Sequence, residues 1–245
     1  MACRARRELT ETAVAQLPLN LQLADHASFA TFVSGSNATA VEHVRSLAEG
    51  AADTVWLWGA GGAGKSHLLQ AACRAASAAG RRAMYVPLAA ASPAILADLE
   101  DVDLLAVDDV HTVAGDLRWE QPLFVIMNAY LSRASGALLL AAPAPATQCG
   151  FRLADLASRG AGAVTYRVAQ LDDAERASAL RLHAAERGLA LDAAAADFLL
   201  KRVARDMTAL TAWLARLDHA SLTAQRRLTI PFIRELIAQS ETSAE

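Results

Sequence analysis

The stretch Gly59-Ala60-Gly61-Gly62-Ala63-Gly64-Lys65-Ser66 constrains this chain more than any other. Four glycines within six positions let the backbone turn its N–H groups inward around an anion. The apolar residues Thr54 to Trp58 before it read as a strand, and those after it read as a helix to about Ala79, closed by Gly80. A strand, a Gly-x4-Gly-Lys-Ser loop and a helix in that order form a P-loop. Its amides and helix N-terminus hold phosphate, its lysine reaches the outer phosphates, and its serine hydroxyl meets Mg²⁺. The predicted cofactor is ADP or ATP with Mg²⁺. The predicted binding residues are Gly59, Gly61, Gly62, Gly64, Lys65, Ser66 and the backbone N–H of His67, with Ser66 also a metal ligand. Lysine usage sharpens the reading: the chain has only two lysines, Lys65 and Lys201, against 21 arginines. A chain that so rarely chooses lysine has one where a compact point charge suits phosphate.

The strand-then-helix alternation continues beyond the loop. Arg82 to Val86 reads as a strand, Pro93 to Leu99 as a short helix, and Asp103 to Asp108 as a strand that is apolar until its end. Trp119 to Arg133 reads as a helix, Gly136 to Ala141 as a buried strand, and Val164 to Val168 as a fifth strand. Asn37 stands where it would cap a helix running to about Ala48. Such alternation predicts an α/β fold with a parallel, doubly wound sheet. After about Leu171 the strand signals stop, and 172–187, 192–205, 207–224 and 230–239 read as helices. The expected organisation is a tail over 1–22, a nucleotide-binding core over 23–169 and a small all-helical lid over 170–245.

Leu104-Leu105-Ala106-Val107-Asp108-Asp109 resembles the acidic strand that partners a P-loop. A buried parallel strand delivers its carboxylate at the C-terminal edge, where Asp108 would hold Mg²⁺ through water. Asp109 is a candidate for orienting an attacking water, with a loop-capping role as its alternative. Arg159 follows the fourth strand and could offset charge on a neighbouring phosphate, but sequence alone does not separate it from any solvated arginine. Three scattered cysteines, Cys3, Cys73 and Cys149, suggest neither a disulfide framework nor a zinc site. The net charge of −3 argues against a protein whose main task is coating nucleic acid. No apolar run approaches bilayer length and no secretory signal is evident, so a soluble, cytoplasmic protein with no membrane partner is expected.

Several segments together resemble the AAA+ proteins of the DnaA group and, within that group, the Hda family. Gln16-Leu17-Pro18-Leu19 is similar to the family's sliding-clamp-binding motif. Phe32-Val33-Ser34-Gly35-Ser36-Asn37 is similar to the segment along the adenine, which adds Val33 to the binding residues. Leu156-Ala157-Ser158-Arg159 resembles the box that carries the arginine finger. Leu200-Lys201-Arg202 and the run Leu222 to Phe232 resemble the Hda lid, and no helix-turn-helix DNA-binding domain is expected after it. The resemblance implies a P-loop AAA+ core and two partners, DnaA and the β sliding clamp. Gln16, Leu17 and Leu19 would anchor on the clamp, and Arg159 would act as a catalytic finger in trans on ATP bound to DnaA, so negatively regulating replication initiation. It also implies nucleoid association through the clamp, with no direct sequence-specific DNA binding; self-association into a homo-oligomer stays open.

Two departures from the family pattern matter. Ala141 stands where the family has a polar sensor on the fourth strand, and Thr208 stands where the lid has a sensor arginine, with Arg205 three positions away. Slow hydrolysis by the chain itself is the expected consequence. The alternative is a free-standing AAA+ ATPase acting as a loader or remodelling helper. A DNA-binding initiator variant fits the acidic charge least well.

Overall fold

The computed structural model describes residues 27–97, 99, 101–203, 206–224, 226 and 228–242, and of Thr208, Glu241 and Thr242 it describes the backbone only. Gln16, Leu17 and Leu19 lie outside the described residues, as does Arg205.

Five strands form one sheet: β1 (Thr54–Trp58), β2 (Ala83–Pro87), β3 (Leu104–Asp108), β4 (Ala137–Ala142) and β5 (Val164–Arg167). Their order is β2-β3-β4-β1-β5, and every pairing is parallel. All residues of β3 and β4 are buried, which explains why both read as unbroken apolar runs rather than as alternating ones. Helices α1 (Ala38–Glu49) and α2 (Lys65–Ala78) cover one face, where Val44, Leu47, Leu68 and Leu69 meet Val55, Leu57, Ala106 and Leu139. Helices α3 (Leu117–Ser132) and α4 (Ala154–Gly162) cover the other, where Leu123, Ile126 and Met127 meet Trp56, Leu105, Val107 and Leu140. The side chains of β1 thus divide between the two faces with the period of two that a strand imposes. Four helices follow the sheet: α5 (Asp173–Glu186), α6 (Ala193–Arg202), α7 (Met207–Ala224) and α8 (Ile230–Thr242). They close a third core around Leu180, Leu199, Leu210, Leu214, Leu217 and Ile233. Asp172 begins α5 with a full capping box to Glu175, and Asp192 caps α6.

Three local expectations change. Pro93 to Leu96 forms a 3-10 turn rather than an α-helix reaching Leu99. Asn37 makes no capping bond; its amide donates to the Ala169 carbonyl at 3.0 Å and accepts from the Ala169 N–H at 2.8 Å. Residues 154–162, not recognised as an element from sequence, form α4.

Helix α4 packs closely on the turn after β4 and on the Trp56 ring because of Gly160. A Cβ at this position would lie 2.5 Å from Ala146 Cβ and 3.4 Å from the Trp56 ring. Ala146 Cβ cannot swing away and Trp56 is fully buried, so a larger residue must push the helix outward. Gly160→Val is expected to cost about 1–3 kcal/mol of stability, read as a lower urea midpoint. An unchanged midpoint would contradict this packing.

Candidate functional site

The glycine loop leaves β1 at Gly59 with φ 155°, and a Cβ there would collide with the Val168 carbonyl oxygen. It enters α2 at Gly64, which has φ 99° and lies so near the Phe32 ring that a Cβ would approach it to 2.7 Å. Both positions therefore need glycine, for backbone conformation and for space. Lys65 opens α2, and its Nζ donates to the carbonyls of Gly59 at 2.7 Å and Ala60 at 3.0 Å. The ammonium is folded over the same loop whose amides would cradle phosphate. Burial pushes its pKa below the ordinary lysine value, and the charges of Asp108 and Asp109 offset part of that shift.

Asp108 ends β3 and is 1% exposed. One carboxylate oxygen accepts from the Tyr85 hydroxyl at 2.8 Å and the other from the Asp109 N–H at 2.9 Å. Asp109 adopts the left-handed conformation, with φ 54°, alone among the described non-glycine residues. This turns it out of the strand and toward the site. Burial, with the Asp108 charge adding to it, raises its pKa, against the opposing effects of His111 and Lys65. Ser66, Asp108 and Asp109 supply oxygen donors beside a lysine, which fits a hydrated Mg²⁺ carried by phosphates. Among the described residues no cluster of three or more His, Cys, Asp or Glu offers a separate metal site.

A cavity of about 660 Å³ opens over this loop. Gly61, Gly62, Gly64, Lys65, Ser66, His67 and Asp109 line its floor, with Val33 and Phe32 at one side. Gly59 and Asp108 are not among the residues that line it. The all-helical part supplies the roof through His183, Arg187, Met207 and Thr211. The His67 ring packs edge-on against Phe32 and His183, and its Nε2 lies 2.8 Å from the Ser28 carbonyl. The ring of His67 thus ties α2 to the segment before α1, a role its neighbours in sequence do not signal. Gln170 donates to the Gly61 carbonyl at 2.9 Å, which ties the start of the helical part to the loop. Tyr85, Gln170, His183 and Arg187 were not legible as site residues, since each comes from a segment remote in sequence.

Arg159 lies elsewhere. It is exposed on α4, outside the cavity lining, and among the described residues its side chain joins no ion pair. What holds α4 is Glu120, a carboxylate with no exposure. It accepts from the backbone N–H groups of Gly115 at 2.6 Å, Arg152 at 3.0 Å and Leu153 at 2.6 Å. Three donors satisfy this buried charge and fix the loop that enters α4. Ala141 is fully buried in β4, beside Leu57 of β1, and presents no polar atom at that position.

With only two lysines in the chain, the state of Lys65 can be followed directly by NMR of its Cε, assigned with Lys201→Arg. A folded-state value below the unfolded one means that the unfolded chain binds more protons between the two, so stability rises with pH across that window. Lys65 is expected to titrate below 10.5, and Asp108→Asn is expected to lower it further by removing a favourable charge. Titration at or above the ordinary value would contradict the buried setting.

The comparisons with known proteins agree with this geometry. The family model of the bacterial DnaA ATPase domain matches residues 23–92, and that of the Hda lid domain matches residues 173–237. Domain III of the Thermotoga maritima replication initiation protein DnaA superposes with a TM-score of 0.73 at 19% identity, over 89% of this chain and 98% of that one. AMPPCP-bound DnaA from Aquifex aeolicus gives 0.63 at 24% identity, over 80% of this chain and 66% of that one. The RuvB Holliday junction branch migration motor of Thermotoga maritima gives 0.61 at 16%, over 83% and 68%. At these identities the superpositions establish the fold alone, an α/β core with a parallel sheet followed by an all-helical part. The two family matches, taken with that fold, fit a Hda-like, DnaA-related AAA+ protein.

Proposed function

We propose that this chain is a regulator of replication initiation that holds an adenine nucleotide in its own P-loop and lends Arg159 to ATP bound by DnaA. The observation that carries this reading is the separation of the two sites. The glycine loop, Lys65 and Asp109 face a cavity roofed by the lid, whereas Arg159 is exposed on α4 outside it. An arginine there is suited to a phosphate on another molecule. The Hda-type lid and the DnaA-type core make DnaA the partner of choice.

In this reading Gly61, Gly62 and Gly64 direct amides to the phosphates of ADP or ATP, and Lys65 turns from its loop carbonyls to them. Ser66 and Asp108 would hold the Mg²⁺. Val33 and Phe32 lie along the base. The metal offsets phosphate charge when bound; the residues of this chain orient and enclose. Ala141 supplies no donor for an attacking water, so the chain's own hydrolysis is slow, as losing one preorganised contact costs about 10²–10³ in rate. In DnaA's site the Arg159 guanidinium offsets charge that develops on the transferred phosphoryl group, an effect worth about 10³–10⁵ in rate for such fingers. Gln16, Leu17 and Leu19 dock as an extended peptide on the β clamp, which brings the two partners together on DNA.

A second reading, a free-standing AAA+ ATPase, draws on one observation: Asp109 lines the same cavity as Lys65 and Ser66. Steady-state turnover by the pure protein near 1 s⁻¹ or above would favour it.

Arg159→Ala is expected to bind nucleotide and clamp as the parent does, yet to lose stimulation of DnaA's ATPase by at least about a hundredfold. Normal stimulation by this variant would overturn the mechanism. Gln16→Ala is expected to abolish detectable clamp capture in a pull-down while nucleotide binding persists; retained capture would remove the motif from the account.

A further inference from the structure

Asp108 is held at both carboxylate oxygens, and one of the two donors is a side chain from a different strand. Tyr85 stands on β2, in register with Ala106 of β3, and its hydroxyl reaches along the strand to Asp108 at 2.8 Å. Gln70 of α2 stands beside the same phenol and lines the nucleotide cavity. Gln70, Tyr85 and Asp108 thus lie in succession from the cavity wall to the buried carboxylate. None of the three is adjacent in sequence.

We propose that Tyr85 is a positioning residue that fixes the Asp108 carboxylate for the divalent cation of the bound nucleotide. This rests on the P-loop reading given above. Rotation of a carboxylate about its Cβ–Cγ bond is loosely restrained, so an unsupported Asp108 would have to be ordered each time it took a metal-bound water. A donor at each oxygen removes that freedom in advance. The Asp109 N–H holds one oxygen from a residue locked in the left-handed conformation, and Tyr85 holds the other. Each oxygen keeps a second lone pair for water. Mg²⁺ demands near-octahedral geometry and retains several waters, so the outer shell that orients those waters decides affinity.

The test is the Mg²⁺ dependence of binding of a fluorescent ADP derivative to the full chain. Tyr85→Phe keeps the ring and its packing and removes only the hydroxyl. It is expected to raise the Mg²⁺ midpoint about tenfold, the lower end of what outer-shell partners contribute. Affinity measured in EDTA is expected to stay within about twofold of the parent, because the hydroxyl is assigned to the metal and not to the nucleotide. In the Asp108→Asn background the same exchange is expected to add nothing. An unchanged midpoint in Tyr85→Phe would overturn the proposal. So would an equal loss in EDTA, which would assign the hydroxyl to folding or to the nucleotide itself. Failure of the parent protein to bind the derivative with or without Mg²⁺ would instead overturn the underlying nucleotide reading.

Discussion

The nucleotide site depends on one close passage of backbone. Residues 168 to 170, which lead from the sheet to the lid, run directly against the glycine loop. Val168 donates its N–H to the Trp58 carbonyl at 2.7 Å, and its own carbonyl fills the space that a Cβ on Gly59 would need. Ala169 is gripped at both its N–H and its C=O by Asn37. Gln170 bonds the Gly61 carbonyl. Three consecutive residues thus tie the loop, the segment beside the cavity and the base of the lid into one unit. A side chain at Gly59 would open that unit at its narrowest point. The lid is fixed over the loop by backbone geometry at its base, and His183 and Met207 complete the roof farther along.

This arrangement explains how much of the molecule could be read from the sequence alone. The strand, loop and helix around Gly59 to Ser66 were legible because their chemistry is local. So were the buried runs at Leu104 to Asp108 and within β4, where both faces are covered and apolar residues are continuous. The capping role expected of Asn37 was a local inference of the same kind, and it failed because a partner 132 residues away competes for the amide and wins. Tyr85 reads as an ordinary strand residue until β2 is laid beside β3. Glu120 reads as a solvated helix charge until the loop before α4 folds over it. In each case the missing information was a long-range pairing, which residue order does not contain. The motif at Gln16 to Leu19 falls outside the described residues.

The surface that carries Arg159 and the cavity over the glycine loop are built differently. The cavity is assembled from loops and helices that converge from both parts of the chain, with a lysine held near two carboxylates. Arg159 sits on a short helix set rigidly by two devices, the buried Glu120 carboxylate at its entry and the side-chain-free contact at Gly160 on its inner face. A rigid mount for an exposed cation is what placing a charge on another molecule's transition state requires, since misplacement by about 1 Å costs on the order of 100-fold. With Ala141 apolar beside the loop, the bound nucleotide acts as a structural anchor in this account, and the chemistry takes place in DnaA.

The most direct test asks whose nucleotide is hydrolysed. In one arm DnaA is preloaded with γ-labelled ATP; in the other this chain is preloaded, and each is mixed with the unlabelled partner, clamp and DNA. The account predicts rapid loss of label from DnaA and persistence of label on this chain. Rapid loss from this chain, with DnaA's label retained, would contradict it.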